Sequence, residues 1–407
     1  MSWSRIDQVN DSACQRAPRH EMSKKEQLYG LIRANPFISQ QEMAQALGLS
    51  RSAVAGHVAS LIRERRLVGR AYVLPRESSV LCVGAANLDR KLRTTEPLRM
   101  GTSNPATAAE TFGGVARNIA ENLARLGTPC ALLTALGDDS AGQALRAHAR
   151  ECGIDMTGTP VLPGVATGTY TAVLDAGGEM AVALADMGLY EQLTPAFLAS
   201  RQAQRSAASF VIADLNLPHD TVALLLDEAR RDGIPLAIVA VSQPKMARLP
   251  RDLAGLRLLI LNRGELEARA GRPLPTEAAV RDACRAVRAE GAQDVIVTCG
   301  AAGVYYTAAH MAAGDTADNT AVTKTAAKAM DDLHWLPAHD VDVVDVTGAG
   351  DAFSAAVCWT LAQGGTDLAE ACARGLRAAA LTVQSPHTVS PALTAELFSA
   401  PLLNDKD

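Results

Sequence analysis

The stretch VVDVTGAGDAF at residues 343–353 has the residue types and spacing to carry out chemistry. Its pattern predicts a short strand, a turn with two glycines and an apolar helix. Backbone N–H groups at such a turn point outward at the helix N-terminus, where they stabilise a phosphate or a developing oxyanion. We assign that role to Gly348, Ala349 and Gly350. Asp351 opens the helix, where its carboxylate could accept a proton from an attacking hydroxyl; a structural helix cap is the alternative.

An α/β domain is predicted to hold this loop in place. From residue 80 onward, short apolar runs alternate with helical stretches, which is typical of a mostly parallel central sheet flanked by helices. Active sites in such sheets lie beyond the carboxyl ends of the strands. The runs that we interpret as strands are residues 80–84, 210–213, 236–239, 258–261 and 295–297.

Charge divides the chain into two regions. The 407 residues carry a net charge of −5 and are 48% hydrophobic, which excludes a wholly disordered chain. Residues 1–75 carry +5 and the remainder −10, so the first region is a candidate for a polyanionic partner. No apolar run is long enough for a membrane span, and the first 20 residues are polar. The eight cysteines have no C-x-x-C spacing. We expect a cytoplasmic protein with reduced cysteines and no membrane partner.

The basic region has the pattern of a helix-turn-helix. A first helix should end at Asn35-Pro36, and Ser39 with Glu42 form a capping-box pair that begins the second. Gly48 is placed to end the second helix and Ser50 to cap the third. Residues 67–74 are interpreted as two short strands, a small wing. The segment 39–74 therefore resembles the winged helix-turn-helix domains of bacterial regulators.

The resemblance implies that the third helix enters the major groove of duplex DNA. The candidate base-reading residues are Arg51, Ser52 and His57, and the candidate phosphate contacts are Arg63, Arg65, Arg66 and Arg70. A three-helix module that no longer binds DNA is the alternative.

The glycine string itself resembles the D-T-x-G-A-G-D signature of the ribokinase-like (PfkB) carbohydrate and nucleoside kinases. Valine at 346 stands where threonine is usual. Four further strings occur in the order that the family shows, together with Gly137-Asp138-Asp139 followed by Gly142. They are GAANLD at 84–89, GGVARN at 113–118, NRGE at 262–265 and TCGAAG at 298–303.

The resemblance implies an ATP- and Mg²⁺-dependent kinase with a ribokinase-like sheet and a small β lid over the acceptor. Asp351 would be the base, and Gly348, Ala349 and Gly350 the anion site. The implied acceptor-binding residues are Asn87, Asp89, Gly113, Gly114, Asn118, Tyr170 and Asp186. The implied nucleotide-binding residues are Asn262, Thr298, Gly300 and Gly303. Glu265 would meet Mg²⁺ through water, and Asp345, Thr347 and Ser390 would hold K⁺ if that ion is used.

The sequence says least about the lid and about the identity of the acceptor. Residues 167–184 alternate apolar and polar side chains around a glycine turn, which predicts a hairpin; in the family such strands form the lid, at about 166–186 here, and often a dimer contact. Together with Ser103-Asn104-Pro105 and GGVARN, the lid resembles the pseudouridine kinase branch, and a homodimer is expected. The alternatives are another sugar or nucleoside kinase, of the inosine or ribose type, and a transcription regulator that senses a small molecule through a kinase-like domain.

These interpretations divide the chain as follows. A polar tail covers residues 1–20, the winged helix-turn-helix 21–75, a linker 76–79, the kinase domain 80–395 and a second tail 396–407. Between residues 308 and 335 the chain is longer than the family usually shows, and we interpret that stretch as a surface insertion.

Overall fold

Two separate units make up the chain in the computed structural model, Met1–Pro75 and Arg76–Asp407. The structure describes residues 23–34, 38–67, 79–201, 205, 207–307 and 333–398. The predicted N-terminal tail, nearly all of the wing with Arg70, and the greater part of the insertion lie outside the described residues. So does most of the C-terminal tail.

Within its described residues the first unit contains three helices, α1 Lys24–Ala34, α2 Gln40–Leu47 and α3 Arg51–Arg63. The predicted capping box is confirmed: Glu42 N–H donates to Ser39 Oγ at 3.2 Å, and Ser39 N–H donates to Glu42 Oε2 at 2.7 Å. Gly48 ends α2 in the left-handed conformation at φ 63°, and Ser50 caps α3. The facing sides of the helices pack into one small apolar core, formed by Leu28, Ile32, Met43, Ala44, Val54, Val58, Leu61 and Leu67.

The second unit is built on an eight-stranded sheet with strand order β14-β13-β12-β11-β10-β9-β1-β4. Its strands are β1 Val80–Val83, β4 Cys130–Leu133, β9 Phe210–Asp214, β10 Leu236–Val239, β11 Leu258–Asn262, β12 Asp294–Thr298, β13 Val304–Thr307 and β14 Leu333–Leu336. All neighbours pair in parallel except β13, which is antiparallel to both β12 and β14. The mostly parallel α/β sheet predicted from the apolar runs is confirmed.

Helices cover both faces of this sheet, as a parallel sheet requires. They are α4 Val115–Arg125, α5 Ser140–Glu151, α6 Pro195–Ala199, α7 His219–Asp232, α8 Arg263–Ala270, α9 Glu277–Ala289, α10 Ala349–Ala362 and α11 Leu368–Val383. One apolar cluster contains Ile119 of α4 with Phe353 of α10, and the other contains Val222 of α7 with Leu266 of α8. The fully apolar strands therefore lie between two cores. Five of the seven described cysteines are buried.

A second sheet of four strands, ordered β3-β2-β7-β8, forms the lid. The predicted hairpin is confirmed as β7 Thr169–Leu174 and β8 Met180–Asp186. The sequence did not predict the other two strands, β2 Asn87–Thr94 and β3 Ala106–Gly113. Six of the eight residues of β3 are exposed and β2 is largely charged, so neither has the apolar alternation that identifies a strand. A short pair, β5 Leu136–Gly137 with β6 Val161–Leu162, completes the strands of the described residues.

Two predictions around the glycine loop are wrong. Residues 343–346 do not form a strand, and their valines are exposed: Val343 by 62%, Val344 by 61% and Val346 by 69%. The backbone there is held by the end of α11, where Val383 O accepts from Val344 N–H at 2.7 Å. β-branched residues favour strands only weakly without a partner strand. The predicted insertion also extends too far, since residues 333–335 belong to the sheet as part of β14.

Within the parts of the chain that the structure describes, no helix is both long and apolar enough to cross a membrane.

Candidate active site

The glycine loop opens onto the N-terminus of α10. Gly348 is the N-cap at φ 83°, and a Cβ atom there would collide with the carbonyl oxygen of Thr388, so the position requires glycine. Gly350 has open space where a side chain would be. Its N–H group belongs to the first turn, where the helix itself offers no acceptor. The N–H of Ala349 is already used, since it donates to Val346 O at 3.3 Å. The anion site predicted at Gly348, Ala349 and Gly350 therefore stays a prediction.

Asp351 lies in the first turn of α10 and meets the first turn of α4. Its Oδ2 accepts a hydrogen bond from Asn118 Nδ2 at 2.7 Å. Burial raises the pKa of Asp351 to about 7, although the bond from Asn118 favours the ionised form and acts in the opposite direction. The N-termini of two helices thus converge on one carboxyl group whose ionisation falls near neutral pH.

Arg117 fixes the orientation of the Asn118 amide, a role that the sequence analysis did not assign. Its guanidinium donates to Asn118 Oδ1 at 2.8 Å and also pairs with Glu121. Because arginine has no acceptor, the amide oxygen must face Arg117, and the amide nitrogen is left to donate to Asp351. Arg117, Asn118 and Glu121 are all buried.

The glycines of GGVARN make room for neighbouring groups. A Cβ atom on Gly113 would collide with the carboxylate of Asp89, and one on Gly114, at φ 98°, with the carbonyl of Ala85. Both glycines are thus needed for packing, and the acceptor-binding role that the resemblance implies stays a prediction. Asp89 accepts from Asn87 Nδ2 at 2.5 Å, and burial raises the pKa of Asp89 to about 6. The charge of Asp89 also raises the pKa of Asp351, so the two carboxyl groups belong to one site.

Asp214, at the carboxyl end of β9, connects two backbone segments that border this site. The sequence motifs did not identify it as a site residue. Its buried carboxylate accepts from the backbone N–H groups of Ala85 at 2.9 Å, Ala116 at 3.0 Å and Asn216 at 2.8 Å. It thereby joins the turn before β2 to the first turn of α4. An aspartate directly after a buried strand was the available signal.

The structure brings one of the two predicted lid residues to the acceptor side. Tyr170 pairs with Asp89 across β2 and β7, so both side chains lie on the same face of the lid. Asp186 pairs with Thr169 instead, and side chains alternate along a strand, so Asp186 lies on the opposite, exposed face. The structure does not bring Asp186 together with the acceptor residues.

A cleft of about 610 Å³ adjoins the glycine loop and contains most of the predicted nucleotide-binding residues. Thr298, Gly300 and Gly303 form part of one wall, and Ala349 and Gly350 lie on the same cleft. Gly300 and Gly303 have positive φ values of 57° and 103°. The remaining lining is mainly apolar and includes Val343, Val346, Phe353, Leu376, Ala380 and Val383. Val343 and Val346, exposed before the loop, are thus part of a concave surface.

Asn262 and Glu265 form a second capping box at the start of α8. Glu265 N–H donates to Asn262 Oδ1 at 2.9 Å, and Asn262 N–H donates to Glu265 Oε2 at 2.7 Å. Asn262 is also paired with Thr298 at the carboxyl ends of β11 and β12. Glu265 is buried, and burial raises the pKa of its carboxyl group. The capping box uses one of its two oxygens, and the role toward Mg²⁺ that the resemblance implies stays a prediction.

The residues implied for K⁺ do not present a cation site. Asp345 Oδ1 accepts from the N–H of Thr347 at 2.9 Å and from its Oγ1 at 2.6 Å, while Asp345 Oδ2 pairs with the ammonium group of Lys91 at 2.7 Å. Ser390 is buried near this loop, since Thr388 O contacts Gly348. With Lys91 already neutralising Asp345, the donor set does not fit K⁺.

The candidate DNA-binding residues of the first unit divide into two groups. Arg51, Ser52, Arg63 and Arg65 are exposed, and His57 is half-buried. Arg66 instead donates from both terminal nitrogens to Glu26, at 2.5 and 2.8 Å, and its guanidinium lies 4.0 Å from the centre of the Tyr29 ring. Arg66 therefore stabilises the contact with α1, which corrects its assignment as a phosphate contact.

Comparisons with known proteins agree with these two units. Residues 77–395 match the model of the pfkB family carbohydrate kinases, and residues 24–65 match a winged helix-turn-helix DNA-binding model. The chain is 31% identical over 342 residues to the uncharacterized sugar kinase YeiI of Escherichia coli, covering 84% of this chain and 88% of that protein. It is 32% identical over 282 residues to the pseudouridine kinase of Escherichia coli, covering 69% and 83%.

Among solved structures, a carbohydrate kinase from Agrobacterium tumefaciens is 30% identical with a TM-score of 0.63, covering 79% of this chain and 96% of that one. The chain belongs to the pfkB family of carbohydrate kinases and carries an N-terminal winged helix-turn-helix domain.

Proposed function

We propose that the protein transfers the γ-phosphoryl group of ATP to the 5′-hydroxyl of pseudouridine. The main support is the hydrogen bond between Asn118 and Asp351, next to Gly350, which lines the cleft. Phosphoryl transfer depends on positioning and charge stabilisation more than on covalent chemistry, and this arrangement supplies both.

In the proposed reaction Asp351 removes the proton of the acceptor hydroxyl. The resulting oxygen attacks the γ-phosphorus, the new O–P bond forms, and the bond to the β-phosphate oxygen breaks to release ADP. The amides of the glycine loop stabilise the charge on the transferring group. Asn87, Asp89, Asn118 and Tyr170 would orient the acceptor beneath the lid, while Thr298, Gly300 and Gly303 would border the nucleotide.

Mg²⁺ would neutralise charge on the ATP phosphates when bound. Glu265 would hold it through water, and Asn262 keeps that carboxylate in place through the capping box.

The pseudouridine kinase relative supports the choice of acceptor, together with the GGVARN string and the turn before β3. In that turn Asn104 accepts from Arg99 N–H at 2.8 Å and donates to the carbonyl groups of Arg99 and Thr102. The sugar kinase relative supports a second candidate, phosphorylation of a plain sugar. A small-molecule sensor would not need a base, and the retained Asp351 with its hydrogen bond favours an enzyme.

We further propose that the first unit binds duplex DNA and that the protein acts as a homodimer in the cytoplasm. Val182 and Leu184 are exposed on the face of the lid that also carries Asp186, and these apolar side chains support pairing of two copies. A dimer would present two α3 helices to a palindromic site.

Replacing the base should abolish turnover without harming the fold. Asp351→Asn should lower kcat by about 10²- to 10⁴-fold, because the amide cannot accept the hydroxyl proton. Wild-type Asp351 is a half-buried carboxylate whose pKa is raised in the folded state, so its ionisation opposes folding; the variant should be at least as stable at pH 8. ADP release and thermal unfolding measure the two effects.

Asp342→Asn, an exposed carboxylate nearby, is the matched control. Turnover of Asp351→Asn within a few-fold of the control would contradict the assignment.

The activity should depend on pH in the direction set by the same group. The pKa of Asp351 is raised to about 7, and only the ionised form accepts a proton, so kcat/KM should rise with pH through neutrality and level off above it. Initial rates at saturating ATP across the pH range measure this. A rate already constant down to pH 5 would show that the base is a carboxylate of ordinary pKa.

The acceptor can be identified with a panel of pseudouridine, uridine, inosine, ribose and fructose. We expect pseudouridine to give the highest kcat/KM, with the phosphate on its 5′-hydroxyl as observed by ³¹P NMR. Preference for ribose or fructose would retain the kinase and reject the nucleoside acceptor, and preference for inosine would reject pseudouridine alone.

DNA binding should depend on the exposed arginines of the first unit. Binding of the full chain to genomic fragments should weaken steeply with salt, and Arg63→Gln with Arg65→Gln should reduce the slope of log affinity against log salt by about two on every sequence. Arg51→Gln should instead change site preference. Arg251→Gln, an exposed arginine of the second unit, controls for net charge. Absence of any shifted band at low salt would refute the proposal.

A further inference from the structure

One ion pair connects the lid to the glycine loop. Lys91 lies on β2, in the lid, and its Nζ is 2.7 Å from Asp345 Oδ2, at the first residue of the DVTGAGD string. The two residues are 254 positions apart in the sequence. The lid therefore has a direct polar contact with the segment that leads into the glycine loop.

Asp345 determines the shape of that segment. Its other oxygen, Oδ1, accepts from both the N–H and the hydroxyl of Thr347, one residue before Gly348. Its own N–H donates to Val383 O at 3.2 Å, at the end of α11. A shift of the Asp345 carboxylate would thus be passed on to Thr347 and to the amides that follow.

Lys91 is also placed to respond to the acceptor. It lies two residues after Asp89 on the same strand, so both side chains lie on one face of the lid. Arg90, between them, points to the other face and pairs with Glu110 of β3 at 2.7 Å. The lid thus carries one cation directed at the glycine loop and a neighbouring one that remains within the lid.

We propose that Lys91 is a positioning residue for phosphoryl transfer: its ammonium group, in place of a monovalent metal cation, holds Asp345 and thereby couples the lid to the glycine loop. The inference rests on the membership of the kinase family and not on the identity of the acceptor.

The pair contributes little to folding, which makes it testable. The side chains of Lys91 and Asp345 are 43% and 28% exposed, and pairs of this kind add little to stability. Substitutions should therefore fold. Their effect should appear in turnover, because acceptor and nucleotide exclude water from the pair when the site is filled.

The experiment is a double-mutant cycle of Lys91→Gln, Asp345→Asn and the two combined, assayed with ATP and the best acceptor of the panel. Lys91→Gln should lower kcat about tenfold, and adding it to Asp345→Asn should cost little more, because both remove the same contact. Arg90→Gln is the matched control and should stay within twofold of wild type. Additive losses would show that Lys91 acts on something other than Asp345 and would overturn the proposal.

A second experiment changes the assay salt at constant ionic strength, using KCl, NaCl or choline chloride. Wild type should turn over equally in all three, since Lys91 supplies the charge. Lys91→Gln should be slowest in choline and should recover in KCl, where a small cation can reach the vacated carboxylate. Wild-type turnover that collapses in choline would show that Asp345 works as a metal ligand and that Lys91 does not replace the ion. A merely structural role of Lys91 would give no difference among the salts for Lys91→Gln, and that result also contradicts the proposal.

Discussion

The hydrogen bond between Asn118 and Asp351 is the contact on which the rest of the site depends. It joins the first turns of α4 and α10, so that the positive ends of two helix dipoles meet at one carboxyl group. Desolvation raises the pKa of that group and the donated hydrogen bond opposes the rise. The balance keeps Asp351, which is half-buried, ionisable near neutral pH, as a general base for a hydroxyl needs.

Buried polar groups hold α4 and α10 in this arrangement. Arg117, paired with Glu121, leaves the Asn118 amide only one satisfactory orientation. Asp214 joins the turn before β2 to the start of α4 through three backbone N–H groups. Such groups are costly to bury unless every polar atom is satisfied, and here each serves to hold backbone or side chains that face the site. The lid adds a contact from outside, through Lys91 and Asp345.

The sequence predicts those parts of the molecule that local rules determine. Capping residues such as Ser39 and Ser50 satisfy helix N-termini within a few residues, and their helices begin where expected. The strands of the parallel sheet are equally easy to predict, because strands buried on both faces are continuous apolar runs. The glycine loop was found through the types and order of its residues, and Gly348 is required there by its close approach to Thr388.

What the sequence could not predict depends on partners far along the chain. β3 is a strand because it pairs with β2, although most of its residues face solvent. Val343 and Val346 belong to a run that resembles a strand but has no strand beside it, and they line the cleft instead. The face on which Asp186 lies follows from the lid register, and the roles of Arg117, Asp214 and Lys91 follow from contacts with residues that only the fold brings near.

A direct titration can show whether Asp351 is a base with a raised pKa. Difference infrared spectra of wild type minus Asp351→Asn, recorded against pH, isolate the carboxyl stretch of this one side chain. We expect a carboxylic acid signal that persists at pH values well above the pKa of an ordinary aspartate and disappears near pH 7. Loss of that signal below pH 5 would contradict a desolvated base at the meeting of α4 and α10.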